Sequence, residues 1–154
     1  MTLDTLVIKE REDKIRSLNL DPDKILRRLP SSQLPSIERI DEAIEYFKNE
    51  LGFTNKQFQS HTNLLDLSIE GNIKPKVEYF RNELGFENKQ FQSNPALFGY
   101  SLEKRIKPRT EFLRIKQINV PSYFLSLRDE LFCKNLAKCS LEEYQSFKGD
   151  YLKK

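Results

Sequence analysis

The chain has no tryptophan, one histidine, one methionine, five glycines and two cysteines among its 154 residues. Each shortage excludes something. A zinc site needs about four ligands, and Cys133, Cys139 and the distant His61 are too few, so no metal or other cofactor is expected. Two thiols cannot make a disulfide scaffold and suit a reducing compartment. The glycines do not cluster, so there is no glycine-rich phosphate loop. No apolar run nears the ~20 residues of a membrane span.

A large charge of one sign is missing too. Lys and Arg number 26 against 23 Asp and Glu, a net charge of +3. That permits an acidic partner without demanding one. The charged fraction of 32% exceeds the ordinary ~25% and suits a thin, elongated fold. The length is that of one domain, able to bury a core without a metal or disulfide. Residues Asp4, Glu10, Glu12 and Asp13 crowd the N-terminus, where an organellar transit peptide would avoid acids. The sequence as it stands is expected to be intracellular and cytoplasmic. It would be mitochondrial if a transit peptide has been removed.

What the chain does have is a repeat. Tyr46-Phe47-Lys48-Asn49-Glu50-Leu51-Gly52-Phe53 recurs as Tyr79-Phe80-Arg81-Asn82-Glu83-Leu84-Gly85-Phe86. Asn55-Lys-Gln-Phe-Gln-Ser60 recurs as Asn88 to Ser93, and Ile73-Lys-Pro-Lys76 as Ile106-Lys-Pro-Arg109. The offset is about 33 residues without insertion, and roughly 20 of about 35 aligned pairs are identical. A degenerate copy lies upstream, with Asn19 at the glycine position. A weaker one begins at Phe112.

Each unit reads as a long helix, a short helix and a 3₁₀ turn. Val77, Phe80 and Leu84 share one helical face. Pro75 and Pro108 suit a first helical position. Gly52 and Gly85 suit a helix C-cap, which Asn19 tolerates as well. Thr54 with Gln57, and Ser140 with Glu143, are capping-box patterns. Asn94 to Phe98 reads as the 3₁₀ turn. Ser68 and Ser101 lead into the next unit, and 126–139 and 140–152 read as two closing helices. The expected fold is all-α: a right- or left-curved α-solenoid, or half-ring superhelix, of three-helix repeats with a C-terminal helical cap. One domain over 1–154 is expected, with repeats at about 18–46, 47–79 and 80–112 and a cap at about 113–154.

The string Ser68-Ile-Glu-Gly-Asn-Ile-Lys-Pro-Lys-Val-Glu-Tyr-Phe-Arg-Asn-Glu-Leu-Gly85 resembles the repeat of the mitochondrial transcription termination factor (mTERF) family. So does Asn94-Pro-Ala-Leu-Phe-Gly-Tyr-Ser-Leu-Glu103. The resemblance covers about residues 15–125, with Asn19 in place of a glycine and Thr62 in place of the turn proline Pro95. It implies triangular three-helix repeats in a half-ring. It also implies nucleic-acid binding, with duplex DNA ahead of RNA, a transcriptional role, no catalysis and no metal.

Basic residues recur in register: Lys48, Arg81 and Arg114; Lys74 and Lys107; Lys76 and Arg109; Arg39 and Arg105; Lys56 and Lys89. A solenoid would line them up, and a line of cations can follow a phosphate backbone. The candidate phosphate contacts are Lys74, Lys76, Arg81, Arg105, Lys107, Arg109, Arg114 and Lys116. The densest patch runs from Lys104 to Lys116, and Lys24, Arg27 and Arg28 form a second cluster. Charge reversal at Arg105, Lys107 and Arg109 is expected to abolish binding without unfolding. The competing reading is a solvated face with pairs such as Lys74 with Glu78 and Lys107 with Glu111. Glu50 with Glu83 and Glu70 with Glu103 recur in register too. That reading makes the chain a protein-interaction solenoid, with a protein partner or a second copy. The repeated phenylalanines are expected in the core. No catalytic constellation is present, since His61 is replaced by Asn94 in the next repeat.

Overall fold

A serine opens each long helix, and a proline decides how that helix begins. In the structure, a computed structural model that describes residues 3–26 and 31–154, the Ser36, Ser68 and Ser101 hydroxyls accept from the backbone N–H three residues on. Such caps satisfy donors that the first turn leaves orphaned. After Ser36 the chain goes directly into α3 (Ile37–Glu45) and ends in a π turn, Tyr46–Glu50. After Ser68 the π turn comes first, Ile69–Ile73, and α5 (Lys74–Leu84) follows. After Ser101 the order is again π turn, Leu102–Ile106, then α7 (Lys107–Ile115). Pro75 and Pro108 account for the difference. A helix-interior proline lacks an N–H and its ring strikes the carbonyl four residues back. The wider turn, with Lys74 N–H bonding to the Ile69 carbonyl and Lys107 N–H to Leu102, admits the ring. Glu42 stands at the equivalent position of α3, which needs no such opening. The prolines therefore begin the α segment, while the helix itself begins at the serine, some seven residues earlier than proline spacing alone suggests.

The helix ends follow the glycine pattern. Gly52 and Gly85 take left-handed φ of +70° and +66°, and Asn19 takes +62° at the equivalent place. Phe53 N–H returns to the Phe47 carbonyl at 2.9 Å, and Phe86 N–H to Phe80 at 3.1 Å. This six-residue closure brings the two phenylalanines of each pair together, with ring centroids 5.2 Å and 5.1 Å apart.

The repeated Asn-Lys-Gln-Phe-Gln-Ser is the short helix, α4 (Asn55–Gln59) and α6 (Asn88–Ser93). Nearly every residue has a structural duty. Gln57 and Gln90 complete capping boxes with Thr54 and Glu87. Phe58 and Phe91 are fully buried. Asn55 donates to the Asn19 carbonyl and Asn88 to Glu50, both at 3.1 Å. Gln92 donates to Leu51 at 2.8 Å, and Gln59 accepts from Asp21 N–H at 2.6 Å. These amides satisfy backbone groups at the end of the preceding long helix, so the motif joins one repeat to the next. Only Lys56 and Lys89 point outward without such a duty.

The 3₁₀ turns are Ser31–Gln33, Thr62–Asp66 and Pro95–Gly99. Ahead of the repeats stand α1 (Leu3–Ser17) and α2 (Pro22–Leu26). The closing part holds α8 (Asp129–Leu131), extended by a π turn over Phe132–Ala137, and α9 (Leu141–Leu152). Ser140 caps α9 by accepting from Glu143 N–H. The Glu143 carboxylate accepts from Lys116 instead of completing a box. No strand occurs among the described residues, so the all-α repeat architecture holds.

The chain groups into two compact units, 1–98 and 99–154. The division falls between the 95–99 turn and the capping Ser101. In the first unit Phe58, Phe47, Phe98, Phe91 and Phe80 form a continuous chain of rings, with centroids 5.6–5.9 Å apart. Each such pair adds about 0.5–1.5 kcal/mol beyond burial. The second unit centres on Phe112, Phe132 and Tyr144, with Tyr144 5.1 Å from Phe112 and 5.0 Å from Phe132.

Candidate nucleic-acid interface

Backbone carbonyls in a buried turn need donors, and long cationic side chains supply them here. Arg39 Nε donates to the Leu65 carbonyl at 2.8 Å. Lys76 Nζ donates to Phe98 at 2.7 Å, and Arg105 Nη2 donates to Leu125 at 2.8 Å and Leu127 at 2.9 Å. Leu65, Phe98 and Leu125 are equivalent positions, each just after the buried Leu64, Leu97 or Phe124. What repeats is the satisfied carbonyl. The cation that serves it moves along the helix from one unit to the next.

Two of the expected phosphate contacts are therefore inside. Lys76 is 6% exposed, and burial lowers its pKa. Arg109 is fully buried. It donates to the Phe124 carbonyl at 2.7 Å, pairs with Asp129 at 2.9 Å and lies 4.5 Å from the Phe132 ring centroid. Arg105 is half-buried on its two carbonyls and stacks on Tyr100 at 5.1 Å, and burial lowers its pKa. None of the three can turn to a phosphate without abandoning the turn it holds. Reversing charge at Arg105 and Arg109 would break the fold, so it is no test of binding.

The other expected contacts reach the surface. Lys74 pairs with Glu70, and Lys107 with Glu103 at 2.7 Å. These pairs run back four residues, not forward to Glu78 and Glu111. A glutamate N-terminal to its lysine is the better helical order. The hydrogen bond to Glu70 raises the Lys74 pKa, and that to Glu143 raises the Lys116 pKa. Arg81 donates to Asn88 at 2.7 Å, and Arg114 lies 3.4 Å from Glu111. Lys104 is exposed. Arg27 and Arg28 lie outside the described residues; Lys24, their companion, is exposed.

Lys74 and Arg81 line a common groove of about 840 Å³ between α3 with its π turn and the 69–84 helix. Glu42, Glu45, Glu50, Glu70 and Glu78 share its walls, and Ile69 and Val77 line it as well. Five carboxylates against two cations make it acidic. Sequence reasoning missed this groove. The signal was there: Glu45 and Glu78 are one period apart, like the pairs Glu50 with Glu83 and Glu70 with Glu103.

Counted by unit, the charges separate. Residues 1–98 carry 14 Lys and Arg against 16 Asp and Glu, a net −2, while residues 99–154 carry 12 against 7, a net +5. The mild +3 of the whole chain hides this difference.

The family model described as mTERF matches residues 2–140. The chain belongs to the mTERF family. No curated protein sequence matches it. For this mTERF protein, as for any member, membership fixes the repeat type and leaves the binding surface to the chain's own residues. No group of three metal-ligating side chains occurs among the described residues, and no described helix is long and apolar enough to cross a membrane.

Proposed function

We propose that this mTERF protein binds nucleic acid rather than catalysing a reaction. The ligand is duplex DNA ahead of RNA, held by phosphate contacts on the 99–154 unit in the service of transcription. The family is associated with nucleic-acid-binding helical repeats. The observation that carries the placement is the net +5 of residues 99–154. Lys104, Lys107, Arg114 and Lys116 are its surface cations on the first long helix. The glutamate pairs of Lys107, Arg114 and Lys116 lie at the surface, worth ~0–1 kcal/mol each, and a polyanion competes for them at little cost. Such contacts position a backbone and read no sequence.

The test is anisotropy of a labelled duplex over a salt series. Replacing Lys104, Lys107, Arg114 and Lys116 by Gln should weaken binding at least roughly tenfold and flatten the salt slope by up to about 0.9 per lost phosphate contact. Replacing Lys74 and Arg81 should do far less, because five carboxylates already repel a phosphate there. Equal losses from the two sets would refute the placement. A same-sequence RNA duplex ranks the two nucleic acids.

The acidic groove favours a second reading, a cationic protein segment docked in the first unit. A chain indifferent to duplexes that takes up a lysine-rich peptide, and loses it on Glu45→Gln with Glu78→Gln, would move the function to that groove.

A further inference from the structure

The helix ended by Lys138 closes as the two phenylalanine-marked helices do. Lys138 takes a left-handed φ of +56°. Cys139 N–H then returns to the Cys133 carbonyl at 3.1 Å. The corresponding bonds join Phe53 to Phe47 and Phe86 to Phe80. In those two caps the paired side chains meet, with centroids 5.2 Å and 5.1 Å apart. A cap of this kind brings the residue after the left-handed one against the residue six positions earlier. In the closing unit both contact positions are cysteine. The sequence places them merely six apart. The cap turns them toward each other.

We infer that Cys133 and Cys139 form a dithiol site that hydroperoxides oxidise to an intramolecular disulfide. The bond needs neighbouring Cα atoms and converging side chains, and the cap's Cys139 N–H to Cys133 carbonyl bond together with the hydrogen bond between the thiols holds the two cysteines side by side. The cysteines differ in access. Cys139 is half-buried and reachable, while Cys133 is 2% exposed. Burial, and then the hydrogen-bonded Cys139 thiol, push the Cys133 thiol up to about 12. Asp129 and Arg109 face Cys133 with opposite effects, and Lys116 lies within electrostatic reach of Cys139. Cys139 is therefore the attacking group and Cys133 the resolving one.

The Cys139 thiolate attacks one peroxide oxygen, and the O–O bond breaks to release hydroxide or alkoxide. Cys139 is left as a sulfenic acid, oxidised by two electrons. The Cys133 sulfur then attacks that sulfur, an S–S bond forms, and the sulfenic oxygen leaves with the Cys133 proton as water. Proximity favours this step over further oxidation, because the resolving thiol is already in contact.

The test titrates the full native chain with hydrogen peroxide, followed by alkylation after denaturation and intact mass measurement. The expected product is a monomer lighter by two hydrogens. It loses both alkylation adducts together and regains both on reduction with dithiothreitol. Cys133→Ala should leave Cys139 as a sulfenic acid that dimedone traps. Cys139→Ser should leave Cys133 unreactive until the chain is unfolded. The inference is overturned if Cys139 is oxidised alone while Cys133 still alkylates, or if disulfides form only between chains. It does not depend on the nucleic-acid reading.

Discussion

The two units are made of the same pieces and use charge in opposite ways. In residues 1–98 the joins between repeats are made by neutral amides, Asn55, Asn88, Gln59 and Gln92, and the surface between the long helices is acidic. In residues 99–154 two guanidinium groups, Arg105 and Arg109, hold the turn that follows their helix, as Arg39 and Lys76 do in residues 1–98, and the net charge is +5. An amide or an arginine can satisfy a backbone carbonyl equally well as a donor. Only the arginine adds a charge that must itself be compensated. That is why Asp129 stands beside Arg109, while Lys76 in the first unit has a carbonyl alone. A cation repeating in a solenoid is thus not by itself a ligand contact.

The sharpest way to break this comparison is Arg109→Met. It leaves the Phe124 carbonyl without its donor and Asp129 without its cation. Asp129 is 30% exposed, so the loss lies at the low end of the about 3–5 kcal/mol that breaking a buried pair costs. Lys76→Met should cost less, about 1–3 kcal/mol for one unsatisfied carbonyl, reduced by relief of the buried ammonium's desolvation. Urea midpoints of the two variants measure the difference. If Arg109→Met proves no worse than Lys76→Met, the guanidinium is not the brace it is taken to be.

Much of this was legible in the sequence. The repeat, the left-handed Asn19, Gly52 and Gly85, the Thr54–Gln57 box and the buried phenylalanines follow from local chemistry that carries its own geometry. The inward cations did not, because their role depends on how near a turn some twenty residues away comes to the helix. A clue did exist. Lys76 lies three after Ile73 and four before Phe80, on the buried stripe, and its counterpart in the earlier repeat is the buried Ala43. A column reading Ala, Lys, Arg faces inward, whatever its charge. The dithiol was hidden for the same reason: its contact comes from a cap whose left-handed residue is a lysine, not the glycine that marks the other two.

Two glycines sharpen the comparison next, within the first unit. A Cβ at Gly85 would meet nothing within 4 Å, whereas at Gly52 it would lie 2.7 Å from Gln92 Nε2. Both positions have left-handed φ, which costs a non-glycine residue about 1–2 kcal/mol. Gly85→Ala should show that cost alone. Gly52→Ala should add about 1 kcal/mol, as Gln92 is pushed off the Leu51 carbonyl and one hydrogen bond is lost. Pairing Gly52→Ala with Gln92→Ala tests the cause. The combined loss should fall short of the sum of the single losses, because one contact is removed twice. Strict additivity would mean that Gln92 does not hold the repeats together there.

The smallest effect separates the units by the sign of their response to alkali. Burial lowers Lys76 from its ordinary 10.5. Below 10.5 the unfolded chain therefore binds more protons there than the folded one, and stability rises with pH in that window. Burial raises Tyr144 from 10.0 to about 12, and Cys133 from 9.0 to about 12. Between those limits the folded chain keeps protons that the unfolded chain has lost, so stability present below pH 9 to 10 drains away as pH rises. Tyr144→Phe keeps the ring against Phe112 and Phe132 and removes one titration. Relative to the parent, its melting temperature should climb between about pH 10 and about pH 12, with the remaining loss due to Cys133. Lys76→Met should move the other way, falling behind the parent as pH rises toward 10.5, because the parent alone gains as its lysine is released from charge. Parallel pH profiles for all three proteins would mean that neither group is buried as described. Crossed profiles would show the first unit gaining stability toward alkali where the second loses it.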